Sequence, residues 1–211
     1  HPTAGSAYIK FADAEVFRVL MEKGVSSDGV GITKEDAAKV TSIGTWFYKN
    51  TTIKEFTEFK FFTSVTQLNG GYQTGAFYNC SNLTTIALPP SLATINNYAF
   101  QDCSSLNSVE GLSNVSSLYG EGCFVGCPLA DIAEIYMPNL TGKLYKRTFT
   151  SMNSPHKVVN LGNITAIERT GYNDTIFGDG CTLLRIPASM QSISYYAFHN
   201  LRNVEAFICD A

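Results

Sequence analysis

Six cysteines in 211 residues are the first chemistry this chain offers. An even count invites a disulfide framework, and Cys123 with Cys127, spaced C-x3-C, invites a metal clamp. Neither pattern completes. No second pair and no suitably placed histidine joins Cys123 and Cys127 in a zinc site, so neither a metal nor any other cofactor is expected. Cys80, Cys103 and Cys127 each stand three residues after a phenylalanine: Phe77, Phe100 and Phe124. The same slot holds Met152 after Phe149, Leu201 after Phe198 and Asn50 after Phe47. A position that accepts Cys, Met, Leu and Asn is being filled rather than used for reaction. Buried free thiols, small hydrophobes with a weak S–H donor, are the expectation, although neighbouring copies would lie close enough for a disulfide to span them.

Catalysis and metal binding find no constellation either. His156 and His199 are the internal histidines, and neither neighbours a nucleophile elbow or an acid partner, so no catalytic residue is assigned. His199 reads as a solvated turn residue. "GYNDTIFGDG" (Gly171 to Gly180) lacks the Lys and Ser/Thr of a phosphate loop and reads as an insertion in an irregular stretch, 150–180. "DAEVFRVLMEKG" (Asp13 to Gly24) predicts an amphipathic helix capped by Asp13, and Thr33 to Asp36 predicts the cap of a second. The loop between them has the layout of a calcium-binding hand. Its first three ligand positions fall on Val25, Ser27 and Gly29, with Asp28 out of register, so a metal-free loop is expected.

The elements that carry these residues repeat. Phe77 and Phe100 lie 23 apart, as do Cys80 and Cys103. Pro89, Pro138 and Pro187 are each 49 apart, and each is followed eleven residues later by Phe100, Phe149 or Phe198. About two coils fill each such unit, with about six between Phe77 and the C-terminus, the last incomplete. Within a coil, "LTTIAL" (Leu83, Ile86, Leu88) is a short strand ended by Pro89, which cannot donate to a ladder. "SLATI" then turns the chain, with Leu92 and Ile95 inward, and Phe77, Phe100, Phe124, Phe149 and Phe198 are expected to stack as an aromatic spine. Upstream, Val40 to Ile43 suggests an opening strand.

"AFYNCSNLTTIALPPSLATINNYAFQDCSSL" (76–106) carries the clearest unit, and the segment from Phe77 to Cys209 resembles the BspA-type leucine-rich repeats of bacterial surface proteins. The resemblance implies an α/β repeat fold: a right-handed leucine-rich-repeat solenoid with a parallel sheet on one side, short turns on the other and a helical N-terminal cap. Residues 1–70 would be the cap and a first irregular coil, and 71–211 the repeats. It also implies a non-enzymatic, exported protein at the cell surface, with a removed N-terminal segment as a route to lipid anchoring. Its partners would be host-matrix or cell-surface proteins or glycans; the alternative is a structural spacer with no ligand of its own. Asp174-Thr175-Ile176 matches a short O-glycosylation pattern of Bacteroidetes exported proteins.

Charge and hydropathy set further bounds. A net charge of −3 and a pI near 5.6 present no basic surface to nucleic acid, and no apolar run is long enough to span a bilayer. A monomer is expected. By strand alternation the outward sheet face includes Thr85, Ala87, Ser108, Glu110, Glu134, Tyr136, Arg185 and Ile208. Thr85, Glu110, Glu134, Tyr136 and Arg185 are the candidate binding residues, and the 150–180 stretch with Tyr172 and Phe177 is the alternative location.

Overall fold

The computed structural model describes residues 7–153, 157–168, 171, 174–199 and 201–210. His156 and Tyr172 lie outside the described residues. Two short helices come first, α1 (Ala14–Glu22) and α2 (Lys34–Lys39). Asp13 caps α1 by accepting from the Glu15 and Val16 amides, and Thr33 with Asp36 closes a capping box on α2. The first coil contains β1 (Glu55–Phe56) and β2 (Gln67–Leu68), and the next β3 (Thr85–Ala87) and β4 (Thr94–Asn96). Then come β5 (Ser108–Glu110) and β6 (Ser117–Tyr119), β7 (Glu134–Tyr136) and β8 (Thr141–Leu144), and β9 (Lys157–Asn160) and β10 (Asn163–Ile167). β11 (Cys181–Ile186), β12 (Ser192–Ile193) and β13 (Ala206–Cys209) complete the series.

Every ladder is parallel. The odd-numbered strands stack as β1-β3-β5 and β7-β9-β11-β13, the even-numbered ones as β2-β4-β6 and β8-β10-β12. The result is a parallel β-solenoid of about six turns. The expected single sheet therefore has a companion. "SLATI" does turn the chain, but Thr94 to Asn96 then pairs with Gln67–Leu68 below and Ser117–Tyr119 above. Pro89 ends one strand without preventing a second in the same coil, and a β-branched pair, Thr94 and Ile95, suits the new ladder. Val40 to Ile43 forms no strand: Val40 is the C-cap of α2, and the ladder starts at β1. Between β5 and β7 the odd ladder is interrupted, and Leu129 and Asp131 donate instead to the Leu106 and Asn107 carbonyls. Lys157, buried in β9, ties this loop down through Nζ, which donates to the carbonyls of Ala130 (2.7 Å) and Ile132.

The core is one continuous column. Phe47, Phe77, Phe100, Phe124, Phe149 and Phe177 are all essentially inaccessible. Their rings stack in turn at centroid distances of 5.6, 5.1, 5.2, 5.7 and 6.2 Å, with interplanar angles of 10° or less. Each ring shields its neighbours' faces from water, which no single coil could do alone. Phe198, expected in this spine, instead packs tilted at 49° against Phe207, and Phe177 takes the step after Phe149. Within the irregular 150–180 stretch, the described residues carry β9 and β10, and Phe177 supplies the next ring of the spine.

Just after the spine, the chain must reverse within two residues. Lys49, Asn79, Asp102 and Gly126, each two positions after a spine phenylalanine, all have positive φ, from 54° to 84°. Asn, Asp and Gly tolerate that left-handed region best, which accounts for the "YNC", "QDC" and "VGC" triplets. At Gly126 there is a second reason: a Cβ there would sit 2.8 Å from the Asp102 Cα. The abundant Ser, Thr and Asn latch one coil to the one before. Thr84, Ser91, Asn96, Asn139, Thr165 and Ser189 each donate a side-chain hydrogen to a backbone carbonyl 23 to 30 residues earlier.

If the column is one stack, its centre should matter more than its end. Phe100→Ala should cost about 3–5 kcal/mol in urea unfolding, and Phe198→Ala clearly less. Equal losses would deny the stack.

Candidate binding faces and buried thiols

Ladder register decides which predicted residues meet. On the odd-strand side, Tyr136 is the partner of Asn160, Asn160 of Arg185, and Arg185 of Ile208. These four stand on successive rungs about 4.8 Å apart. Glu110 occupies the matching place on β5, beside Ala87 of β3 and across the interruption from Tyr136. Thr85 and Glu134 belong to a second row two residues earlier, with Glu55, Ser108 and Val158. The five candidates therefore share one face but divide between two rows. Tyr136 is 49% exposed, and Glu110 and Glu134 are exposed; Thr85 is half-buried. Arg185 pairs with Asp210 at 3.6 Å. Ala87, placed outward by alternation, is buried and reaches nothing.

The cysteines are held by a recurrent contact. Cys80 Sγ donates to the Phe47 carbonyl at 3.0 Å, Cys103 Sγ to Phe77 at 3.0 Å and Cys127 Sγ to Phe100 at 3.1 Å. Each thiol thus binds the spine residue of the coil before. A residue in this slot fills space, as Met152 does, and cysteine adds a donor that a spine carbonyl accepts. Ionisation is strongly disfavoured: the adjacent Cys103 thiol and burial push Cys80 far up, and burial does the same to Cys103. Burial raises Cys123 to about 12 and Cys181 to about 11. Cys209, on the outer strand, is the exposed one among six free thiols.

Other singled-out groups are engaged within the fold. Asp28 accepts from Tyr8 Oη at 2.6 Å through Oδ2, and from the Val30 and Gly31 amides and Ser26 through Oδ1. The Tyr8 hydrogen bond leads in holding its carboxyl well below the usual range. Asp36 serves the Thr33 capping box. His199 is half-buried, with its ring edge-on to Tyr196 at 5.3 Å.

One polar cluster escaped the sequence reading. Tyr98 Oη donates to Glu121; Lys146 pairs with Glu121 at 3.2 Å and Asp174 at 3.3 Å; Arg147 pairs with Asp174 at 2.7 Å. These residues come from four successive coils, and they become neighbours only once the coil phase is known. Burial pushes Asp174 upward, but hydrogen bonds from Arg147 and Lys146 outweigh it and hold the carboxyl below its ordinary range. Asp174 of the glycosylation-like triplet therefore spends its charge on neighbouring coils.

Stacked parallel coils, a phenylalanine column and a repeating slot behind it define a leucine-rich-repeat solenoid. Residues 71–205 match the BspA-type leucine-rich repeat region in six copies, and the chain belongs to that family. It is also similar in structure to a leucine-rich cell surface protein from Faecalibacterium prausnitzii A2-165, at 25% identity and a TM-score of 0.57. That likeness covers 71% of this chain and 38% of the other, so this chain corresponds to well under half of it. No curated protein matches the chain. Among the described residues, no helix is long and apolar enough to cross a membrane.

Two outcomes follow. A thiol reagent should label one cysteine per native chain, Cys209, and six after denaturation without reductant; fewer in the denatured protein would reveal disulfides. A depressed folded-state carboxyl stabilises above its unfolded pKa, about 4, and that contribution disappears as pH falls through the folded value. The stability gap between wild type and Asp174→Asn, read from urea curves, should therefore be widest near neutrality and close in acid.

Proposed function

We propose that this chain is a non-enzymatic binding module of a bacterial cell-surface protein, which engages a macromolecular partner through the outer face of its odd-numbered strands. The observation that carries this reading is the row Tyr136, Asn160 and Arg185, set on successive rungs of one ladder. A stacked parallel sheet holds such side chains at fixed spacing with little further ordering to accomplish on binding, which favours affinity. Tyrosine and arginine are the residue types that most often dominate interface energetics. Glu110 extends the row, and Thr85 and Glu134 flank it. Surface display is supported by the family and by the cell-surface neighbour.

The same reading divides the chain into an N-terminal segment, 1–70, that covers the open end of the repeats, and the repeats themselves, 71–211. Support comes from Asp13: its Oδ1 caps α1 while its Oδ2 accepts from the Lys54 amide at 2.6 Å, at the mouth of β1. Glu58, buried in the first coil, accepts from the Ala12 amide at 3.0 Å. An uncovered solenoid end would present unpaired strand edges and bare core.

The intact chain should be screened against immobilised matrix and cell-surface proteins by biolayer interferometry. Saturable binding, weakened about tenfold or more by Tyr136→Ala and by Arg185→Ala, is the expected result. Silence from folded protein across the panel would favour a spacer.

A further inference from the structure

We infer that the end of the solenoid edged by β13 is a self-association surface, which pairs with the same end of a second copy of this chain. It is independent of the sheet-face reading, since other residues carry it and its test reads association between copies.

Ladder register shows what is bare. On the odd-strand side the inward row runs Phe56, Ile86 and Val109, then Ile135, Val159, Leu184 and Phe207. The first six are buried, and Phe207 is 50% exposed. On the even-strand side Leu68, Ile95, Leu118, Leu144 and Ile167 are buried, whereas Ile193 in the same row is 44% exposed. Alternation turns Phe207 and Ile193 toward the core, and each lacks the coil that covers every earlier member of its row. Ile208, on the outward side of β13, is exposed as well. Every other described phenylalanine and isoleucine is buried or half-buried, so the bare surface of these types gathers at this end.

The edge is also unguarded. β13 is outermost in its sheet, with β11 as its one ladder neighbour, and its sequence "AFIC" contains no charge and no proline. Native edge strands are ordinarily blunted by such residues, because a free row of amides and carbonyls recruits another strand. The opposite edge is closed within the chain. Asp13 Oδ2 accepts from the Lys54 and Glu55 amides at the mouth of β1, and Val16, Val19 and Leu20 of α1 are buried.

That asymmetry selects a second copy and its geometry. A head-to-tail stack would lay β13 of one copy on β1 of the next, where α1 and Asp13 already stand. Tail on tail is open: a twofold contact in which the two β13 strands run antiparallel. A register that sets odd-numbered residues opposite one another keeps Phe207 and Cys209 of both copies on the apolar side. Charge agrees with this register. Arg202 and Glu205 are exposed just before the strand, and Asp210, paired with Arg185, follows it. Glu205 then cannot stand opposite Asp210 of the other copy, whereas Arg202 can, so the like ends attract rather than repel. The monomer expected from the sequence is then the dilute state of the chain.

Sedimentation velocity on the intact chain, from nanomolar to high micromolar concentration, tests this. The expected result is a mass that rises from 23.0 kDa to twice that value and no further. Phe207→Glu and Ile208→Lys, with circular dichroism unchanged, should each weaken the dimer about tenfold or more, and Tyr136→Ala should leave it as in wild type. Amide exchange on the same samples should slow at β13 as concentration rises. It should stay faster there than in the Phe77 to Phe124 coils, because dissociation alone reopens the edge. A monomer at every concentration would overturn the assignment and leave this end to a different partner. A dimer that survives both substitutions, growth beyond the dimer, or protection gained elsewhere would overturn it too.

Discussion

No coil of this chain can bury its own apolar face, and the rest of the structure depends on that constraint. A turn of 23 to 28 residues between successive spine positions from Phe77 onward has too few side chains to enclose a core. It becomes stable when the next turn lies on it. Three sets of contacts then form together: parallel ladders on two sides, ring-on-ring contact between spine phenylalanines, and side-chain donors reaching back to the carbonyls of the previous coil. The thiols belong to the third set. Cys80, Cys103 and Cys127 do for the spine carbonyls what Ser, Thr and Asn do at the surface, and they do it without water. A weak donor suits a buried slot, because leaving an S–H unsatisfied costs less than leaving a hydroxyl so.

Much of this was legible from the chain. The repeat period, the buried cysteine slot, the proline strand ends and the α1 and α2 caps can all be read from residue type and spacing, since each answers to local geometry. What stayed hidden shares a cause: it depends on coil phase. Phe177 lies 28 residues after Phe149, whereas Phe77 and Phe100 are 23 apart, so counting by the usual period passes over it and selects Phe198. The second sheet was hidden because two or three residues per strand, such as Thr94 to Asn96, look like a turn until neighbouring coils supply the ladder. The charge cluster of Glu121, Lys146, Arg147 and Asp174 likewise has no local signature.

Inward positions are constrained by stacking, whereas outward positions are free to serve recognition. The candidate face is legible in the same partial way. Alternation places Thr85, Glu110, Glu134, Tyr136 and Arg185 on one side, but only register separates them into two rows and shows that Asn160 sits between Tyr136 and Arg185. Exposure is a further matter of packing, as Ala87 shows. The contact of Arg18 and Asn50 through Glu15 was harder still to read, since the two are 32 residues apart and meet because Glu15 binds both. Fold and face thus have different informational sources: the first repeats and can be averaged over copies, the second does not.

Amide hydrogen exchange, resolved by peptide, tests the stacking account most directly. Coils with a neighbour on both sides should open least, and those near an end more readily. The account predicts slowest exchange across the Phe77 to Phe124 coils, with protection falling through β11 to β13. Protection at β13 equal to that of the central coils would contradict it.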